Sequence, residues 1–562
     1  MVKKTKNQSS KAQPATEQRT VETAPRTRVA FCKGAAAIYA VGFLLLAVFC
    51  CWTYGDVFHH IAQENFVCAD AEAMTFVRRQ SYGGIFWAAR YVLLVFNNQW
   101  LGGVLMAVVL TLAAWLFDRL FLPLFSGRRC ADAWRAKRSP MVLGLGFVPV
   151  LALLSWMVWR GYDLYIRCEV SSFVIATIVL LLAAAIAGLA GALLFRRRQT
   201  EGASESGPAR FALPLSAILA VLLYGGLTWQ AFGPSNYVRV TCKMQNILDE
   251  TQDWQAMTAL ARSCERPTRG IAAYHAIALL QQNQVLEHAF DIDYDYPKLD
   301  LDDVGGSDEG CIYVADANLY AGLPLSAYHS TMENLVMYGP RVRAYKRMAV
   351  CSILNNEPKL AKRYLCLINQ MPFQQAWVKR YLDYVEKPET IKEDPMYAML
   401  YSLFPRENRF EQNYRQPIFL GYNIGLLSGS DNTLRTSVAT CMYSKDLNNL
   451  LVRTNILQQK MTLPISVQQS IIIASLNRPG LLDQYPQVKS NVMLQTEFKR
   501  FLSEIQPYMS RKSNLTDEDE LKAVQKEMGA AIRKNWLGSY YYYYYCGNLE
   551  QTVKKTEGHG VN

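Results

Sequence analysis

The chain has 562 residues and a net charge of +12, and 51% of its residues are hydrophobic; this length is enough for two to four domains. Half of the excess positive charge lies in residues 1–34, which carry eight Lys or Arg side chains against two Glu. Such a tail can bind nucleic acid, but it runs directly into an apolar segment. We therefore interpret it as a disordered cytoplasmic tail that flanks a first membrane span, and we do not expect nucleic acid as a partner.

Long apolar runs are concentrated in residues 35–232, which we predict to be a membrane domain. A membrane-spanning helix needs about 20 predominantly apolar residues. The first candidate has an apolar core too long for a cleaved signal peptide and lacks a small-x-small cleavage site, so we expect it to remain as an anchor. In all, five segments satisfy the length requirement: 35–53, 101–122, 141–159, 171–195 and 211–232.

The segment 85–96 is apolar but has only twelve residues, which is typical of an interfacial or re-entrant helix. We expect its Arg90 to extend toward the lipid headgroups. If this segment does not cross the membrane, the basic loops 126–139 and 196–210 lie on the same side as the basic tail, as the positive-inside rule requires. The sequence therefore predicts five spans, a cytoplasmic N-terminus and a C-terminal region on the outer side.

Residues 237–547 show helical periodicity with short loops and are predicted to form a helical-repeat domain, followed by a disordered tail at 548–562. In one helix Leu360, Tyr364 and Ile368 fall on a single face, and Pro358 suits its first turn. Further helices are predicted at 253–264, 375–385, 394–403, 447–460, 465–476, 489–508 and 517–535.

Small residues recur at positions where two helices would pack closely. Ala327 and Ala361 are 34 residues apart, which is the tetratricopeptide period, and Ala289 precedes Ala327 by 38 residues because an acidic segment intervenes. Ala349 and Leu365 complete the expected packing set. The predicted fold class is all-α: a transmembrane helix bundle followed by an α-solenoid of tetratricopeptide-like helix pairs, a class that typically binds partners on a curved surface.

The sequence resembles an uncharacterised family of Gram-negative envelope membrane proteins, which also end in a Tyr-rich stretch. The resemblance covers most of 80–550 and implies the architecture above but no assigned activity. The chain differs from that family in its long basic tail and in its five predicted spans, where members of the family would be expected to have more. The stretches that carry the resemblance are YGGIFWAARYVLLVFNNQWLGG, YVRVTCKMQNILDETQDWQAM, NLYAGLPLSAYHSTMENL and RMAVCSILNNEPKLAKRYLCLI.

No catalytic, cofactor-binding or metal site is predicted. Standard nucleophile, phosphate-binding and zinc motifs are absent. Asp291, Asp293 and Asp295 have the spacing of a calcium loop, but Tyr296 occupies the position that needs Gly, so we favour a solvated acidic loop.

The outer loop after the first span contains His59 and His60, which could join Glu64 at a metal ion. Adjacent side chains on a helix point apart, so we favour an interfacial polar role. Thirteen cysteines occur without a CxxC motif. Among them Cys242 and Cys264 are the first candidates for a disulfide, because the outer side of the membrane is oxidising.

Six consecutive tyrosines, Tyr540 to Tyr545, end the helical region. Not all six can face one core, since a helix turns only two or three of them inward. Tyrosine suits a half-wet boundary, so three roles are considered: closing the end of the solenoid, resting on the membrane interface, or forming an exposed binding surface for a sugar or peptide. The possible binding surface comprises Tyr540, Tyr541, Tyr542, Tyr543, Tyr544 and Tyr545.

These features indicate a multi-pass protein of a bacterial inner membrane with a periplasmic helical domain. The favoured function is a non-enzymatic scaffold that contacts membrane lipids and binds another envelope protein or a peptide. The alternative is a glycan- or lipid-modifying transferase with its active site in the outer loop 54–84, whose carboxylates are Asp56, Glu64, Asp70 and Glu72. The sequence leaves the oligomeric state open.

Overall fold

The computed structural model describes residues 25–79, 83–125, 143–160, 170–199, 215–233, 237–294, 310–404 and 430–547. Most of the basic tail, the loop 126–139, most of the loop 196–210 and the tail 548–562 lie outside the described residues. All regular elements in the described ranges are helices. The all-helical prediction is therefore confirmed for this part of the chain.

Eight of the described helices precede the C-terminal region. The first continues into a π-helical turn, Phe49–Thr53, and the fourth into a 3-10 turn, Leu94–Asn97. Their bounds are α1 Pro25–Val48, α2 Gly55–Glu64, α3 Thr75–Arg79, α4 Gly83–Leu93, α5 Gln99–Phe125, α6 Phe147–Arg160, α7 Val170–Gln199 and α8 Leu215–Phe232.

Three of the described helices are long and apolar enough to cross a membrane: Ala36–Thr53, Gln99–Phe121 and Val174–Leu194. They coincide with three of the five predicted spans. The apolar helices Phe147–Arg160 and Ile218–Phe232, which fall in the other two predicted segments, are shorter. Membrane association thus rests on three helices, and the five-span topology remains a prediction.

The membrane helices contact one another closely. Gly191 of α7 lies against the Arg119 carbonyl of α5, where a Cβ atom would overlap the backbone, so glycine permits this approach. Asp118 joins α5 to the turn before α6: its carboxylate accepts hydrogen bonds from Tyr39 Oη at 2.6 Å, Gly144 N at 2.9 Å and Gly146 N at 2.7 Å. This buried carboxylate is satisfied by protein donors, as a buried charge requires.

Arg90 lies inside the protein and is only 4% exposed. Its Nη1 atom donates to the Phe66 carbonyl at 3.4 Å, and its own carbonyl accepts from Asn65 Nδ2 at 2.7 Å. The expectation that Arg90 reaches the headgroups is therefore wrong. The physical reason is that α4 packs against α7 and the chain at 65–66 supplies a closer acceptor.

The C-terminal region consists of eighteen further described helices, several of them one or two turns long. Pro358 is the first residue of its helix, as predicted. The bounds are α9 Val238–Glu250, α10 Trp254–Arg262, α11 Arg269–Gln281, α12 Val285–His288, α13 Gly310–Tyr320, α14 Pro324–Tyr338, α15 Val342–Leu354, α16 Pro358–Asn369, α17 Gln375–Glu386, α18 Glu389–Glu393, α19 Pro395–Ser402, α20 Asp431–Tyr443, α21 Leu447–Leu457, α22 Ile465–Ser475, α23 Pro486–Ser490, α24 Val492–Lys512, α25 Glu518–Trp536 and α26 Tyr540–Cys546.

Helices α13 to α17 pack against one another in chain order. A tetratricopeptide-type superhelix would contain such neighbours, but that finer arrangement remains a prediction. The last helices fold back on the segment around α12. Arg435 of α20 donates to the Asn283 carbonyl at 2.8 Å and to the Glu287 carboxylate at 2.8 Å, and Ser466 of α22 bonds the Leu286 carbonyl.

Candidate functional site

Helix α2 lies in the loop 54–84, which is predicted to be on the outer side and is called the outer loop below, and it contacts α9 and α15 of the helical region. His59 Nε2 lies 2.6 Å from Glu250 Oε1, and His59 Nδ1 lies 3.2 Å from the Phe96 carbonyl. Asn246 Nδ2 donates to the Asp56 carbonyl at 3.0 Å. The outer loop and the helical region are therefore joined by directed polar contacts.

Glu64, at the end of α2, is a buried carboxylate beside two arginines and His60. It is 8% exposed and lies 3.6 Å from Arg341 Nη1, 3.9 Å from Arg343 Nη1 and 3.7 Å from His60 Nε2. Burial alone would raise the pKa of Glu64, but the nearby arginines, Arg341 foremost, outweigh burial and lower it. Burial lowers the pKa of His60 to about 4, so this histidine is neutral at physiological pH.

Arg343 is the centre of a larger charged network. Its Nε atom donates to Asp249 Oδ2 at 2.6 Å, and Nη2 donates to Asp316 Oδ2 at 2.9 Å. Asp316, 3% exposed, also contacts Arg347 and accepts from Tyr274 Oη at 2.8 Å. Burial alone would raise the pKa of Asp316, but the two arginines hold it below its usual value.

A cavity of about 120 Å³ lies beside this network. Its charged lining residues are Asp249, Glu250, Asp316, Arg343, Lys346 and Arg347, and its aromatic ones are Tyr320, Trp377, Tyr381 and Tyr397. Gln63 of α2 adds a lining residue from the outer loop. The cavity thus brings together side chains from α9, α13, α15, α17 and α19 next to the membrane-linked helix α2.

The aromatic wall is ordered by ring contacts and hydroxyl bonds. Trp377 and Tyr381 stack with centroids 3.9 Å apart and an interplanar angle of 21°. The hydroxyls of Tyr381 and Tyr397 share a hydrogen bond of 2.5 Å. Since these rings have mutual partners, the wall is fixed before any ligand arrives.

Lys346 is half-buried, and its Nζ atom lies 5.4 Å from the centroid of Trp377, within the range of a cation–π contact. Burial lowers its pKa, although Asp249 and Glu250 act in the opposite direction. The two arginines that line the cavity are in ion pairs, whereas Lys346 has no carboxylate oxygen within 4.0 Å among the described residues.

The tyrosine run forms helix α26, with Tyr540 to Tyr543 buried and Tyr544 and Tyr545 half-buried. Tyr540 Oη donates to the Met442 carbonyl at 2.9 Å, and Tyr543 Oη donates to the Tyr443 carbonyl at 2.5 Å. The helix packs against α22 and α25. Four buried rings do not form an exposed surface, because neighbours cover the short helix on more than one side.

The five proposed packing residues are all buried, at 2% exposure or less: Ala289, Ala327, Ala349, Ala361 and Leu365. They contribute to the core and do not line the cavity.

The outer-loop carboxylates do not come together. Asp56 is half-buried on α2, and Glu64 is held by arginines as described. Asp70 is half-buried and accepts from the Glu72 amide at 2.9 Å, while Glu72 itself is exposed. None of the four borders the cavity.

The acidic segment is engaged in ion pairs as far as it is described. Asp291 pairs with Arg262 at 2.7 Å, and Asp293 pairs with Arg533 at 3.1 Å; Asp295 and Tyr296 lie outside the described residues. Within the described ranges no three His, Cys, Asp or Glu side chains are grouped so as to hold a metal ion.

Cys242 and Cys264 are both free thiols. Cys242 is fully buried in α9, and the Cys264 thiol donates to the Leu260 carbonyl at 3.5 Å. The candidate disulfide between them is therefore not formed.

The charged network and the cavity were missed at the level of sequence. One signal was available: Arg343 and Arg347 share a face of α15 with the buried Cys351 at i, i+4 and i+8. Two arginines on an inward face require buried carboxylate partners.

Comparison with protein families identifies a match for the C-terminal part of the chain. A family of unknown function, DUF6057, covers residues 213–547, which include all of α9 to α26 and every cavity residue except Gln63. No curated protein and no solved structure matches the chain. Since the family match extends over more than half of the sequence, the chain belongs to DUF6057, a family of unknown function.

Proposed function

We propose that this protein is a membrane-anchored scaffold whose helical region binds a peptide segment of another envelope protein. The observation that carries the proposal is the cavity, in which a preformed aromatic wall adjoins a charged floor. Ligand sites typically combine aromatic walls with a few placed polar groups. Helical arrays commonly use a concave surface for partner binding.

The proposed setting is a bacterial inner membrane with the helical region in the periplasm. The three long apolar helices support the anchor. The orientation is supported by the basic residues in 1–34, 126–139 and 196–210, which the positive-inside rule assigns to the cytoplasm. Membrane lipids would contact the exposed apolar side chains of the three helices.

The transferase alternative has weaker support. A transferase site in 54–84 would need accessible carboxylates beside a cavity. Glu64 is instead engaged by arginines, and the outer-loop residue that borders the cavity is Gln63, an amide.

Peptide display on the full chain in lipid nanodiscs tests the scaffold proposal. Selected peptides should lose binding at least tenfold to Trp377→Ala, which removes half of the ring stack, and should keep binding to Phe373→Ala. Phe373 is an exposed aromatic residue just before α17 and serves as the matched control. Failure to enrich any peptide, or equal binding to both variants, would contradict the proposal.

A further inference from the structure

Within the part of the chain that the structure describes, Lys346 is the charged residue of the cavity lining that forms no ion pair within 4.0 Å. Arg343 is paired with Asp249 and Asp316, and Arg347 with Asp316. Glu250 is paired with His59 of α2. Once these pairs are formed, the remaining charged group of the lining is the Lys346 ammonium.

The Lys346 ammonium group lies where a ligand in the cavity could reach it. Its neighbour is the Trp377 face, 5.4 Å away, and the side chain is half-buried. An ammonium group taken partly out of water is destabilised unless an anion or hydrogen-bond acceptors replace the lost hydration. The carboxylates of Asp249 and Glu250 act on Lys346 only beyond 4.0 Å and make their close contacts with Arg343 and His59. A ligand carboxylate at Lys346 would therefore supply a close anionic contact that the described residues do not.

The cavity also limits the size of the ligand group. A volume of about 120 Å³ accommodates one residue-sized group, so the rest of a peptide must lie outside. Asp249 and Glu250 have side chains that are 40% and 52% exposed, which marks the opening to solvent. A group with both an anion and an apolar face would match Lys346 on one side of the cavity and Trp377 and Tyr381 on the other.

Resting on the proposed peptide-binding function, we infer that the cavity binds the C-terminal residue of a peptide, with its carboxylate on Lys346 and its side chain against Trp377 and Tyr381. An ammonium–carboxylate hydrogen bond is roughly twice as strong as a neutral one. Lys346 would therefore favour a ligand that ends in a carboxylate over one that ends in a neutral group. An internal peptide segment without Asp or Glu lacks a carboxylate and would place no anion on Lys346.

The test uses the full chain in nanodiscs and two small probes, N-acetyl-leucine and N-acetyl-leucinamide, which differ in the carboxylate. The wild type should bind the acid at least tenfold more tightly than the amide. Lys346→Met, which keeps the aliphatic stem, should bind both equally weakly. Lys379→Met, an exposed lysine on the same helix as Trp377, should behave as the wild type does.

Each other outcome overturns the inference. It fails if acid and amide bind the wild type equally, if neither binds, or if Lys346→Met still prefers the acid. Glucuronic acid provides a further arm: tighter binding of this acidic sugar than of N-acetyl-leucine would identify a sugar carboxylate and refute the peptide terminus. Display-selected internal peptides that depend on Trp377 would leave the scaffold function intact even if the carboxylate inference fails.

Discussion

His59 of the outer-loop helix α2 and Glu250 at the end of α9 are joined by a 2.6 Å contact between Nε2 and Oε1. The other ring nitrogen of His59 faces the Phe96 carbonyl. Both nitrogens thus face acceptors, and only the doubly protonated ring donates to both. Because Glu250 also lines the cavity, this pair connects the outer loop directly to the candidate binding site.

This contact should make the docking of α2 depend on pH. Burial alone would lower the pKa of His59, but Glu250 and the Phe96 carbonyl outweigh it and raise the pKa above 6.5. The His59 hydrogen bond lowers the pKa of Glu250 below 4.5. Stabilisation from His59 is lost as pH rises through its raised pKa, and that from Glu250 is lost as pH falls through its lowered pKa. The pair therefore contributes most between pH 4.5 and 6.5.

Thermal unfolding of the wild type and His59→Gln should show this window. Half-exposed Glu250 limits the stabilisation to about 0.2–1 kcal/mol. The difference between the two proteins should be largest near pH 5.5 and should shrink at pH 8.5. Asp56 also acts on His59, and Lys346 also acts on Glu250, so Glu250→Gln is the second variant. A difference that stays constant with pH would contradict the assignment.

Arg343→Met should destabilise the helical region strongly. The substitution leaves Asp316 and Glu64 buried with fewer cations, and breaking a buried pair typically costs about 3–5 kcal/mol. Asp316→Asn combined with Arg343→Met should be less destabilised than the two single effects together, because the buried charge is removed as well. Chemical denaturation measures the free energy of unfolding of each variant, and Arg363→Met, on the exposed face of α16, is the control. If the losses of stability caused by the two single substitutions simply added up in the double variant, this result would argue against the charged network.

The helices could be predicted because their signal is local. The apolar spacing around Leu365 identifies α16 without knowledge of any other element. The charged network depends on residues that are far apart in the chain, such as Glu64 and Arg343. In the sequence alone, these residues cannot be told from charged residues that are exposed to solvent. Arg90 illustrates the same limit. The direction in which its side chain points depends on the packing of α4 against α7, and no local sequence pattern encodes this packing.

Tyr540→Ala should cost about 3–5 kcal/mol, the usual range for removing a large buried aromatic side chain. Tyr544→Ala should cost less because this ring is half-buried. Tyr540→Phe should cost about 1 kcal/mol through the lost bond to the Met442 carbonyl. Chemical denaturation distinguishes these changes. Similar small effects at both positions would mean that α26 does not act as a core helix.

Labelling of single-cysteine variants with a membrane-impermeant thiol reagent should decide the orientation. Cys366 is exposed on α16, and Cys130 belongs to the basic loop 126–139. If the helical region is periplasmic, Cys366 should react in cells whose outer membrane has been permeabilised, and Cys130 should react only after the inner membrane is opened as well. Buried Cys351 is the control and should react only after unfolding. The opposite labelling order would mean that 85–96 crosses the membrane, which would move the cavity to the cytoplasm and remove envelope proteins from its possible partners.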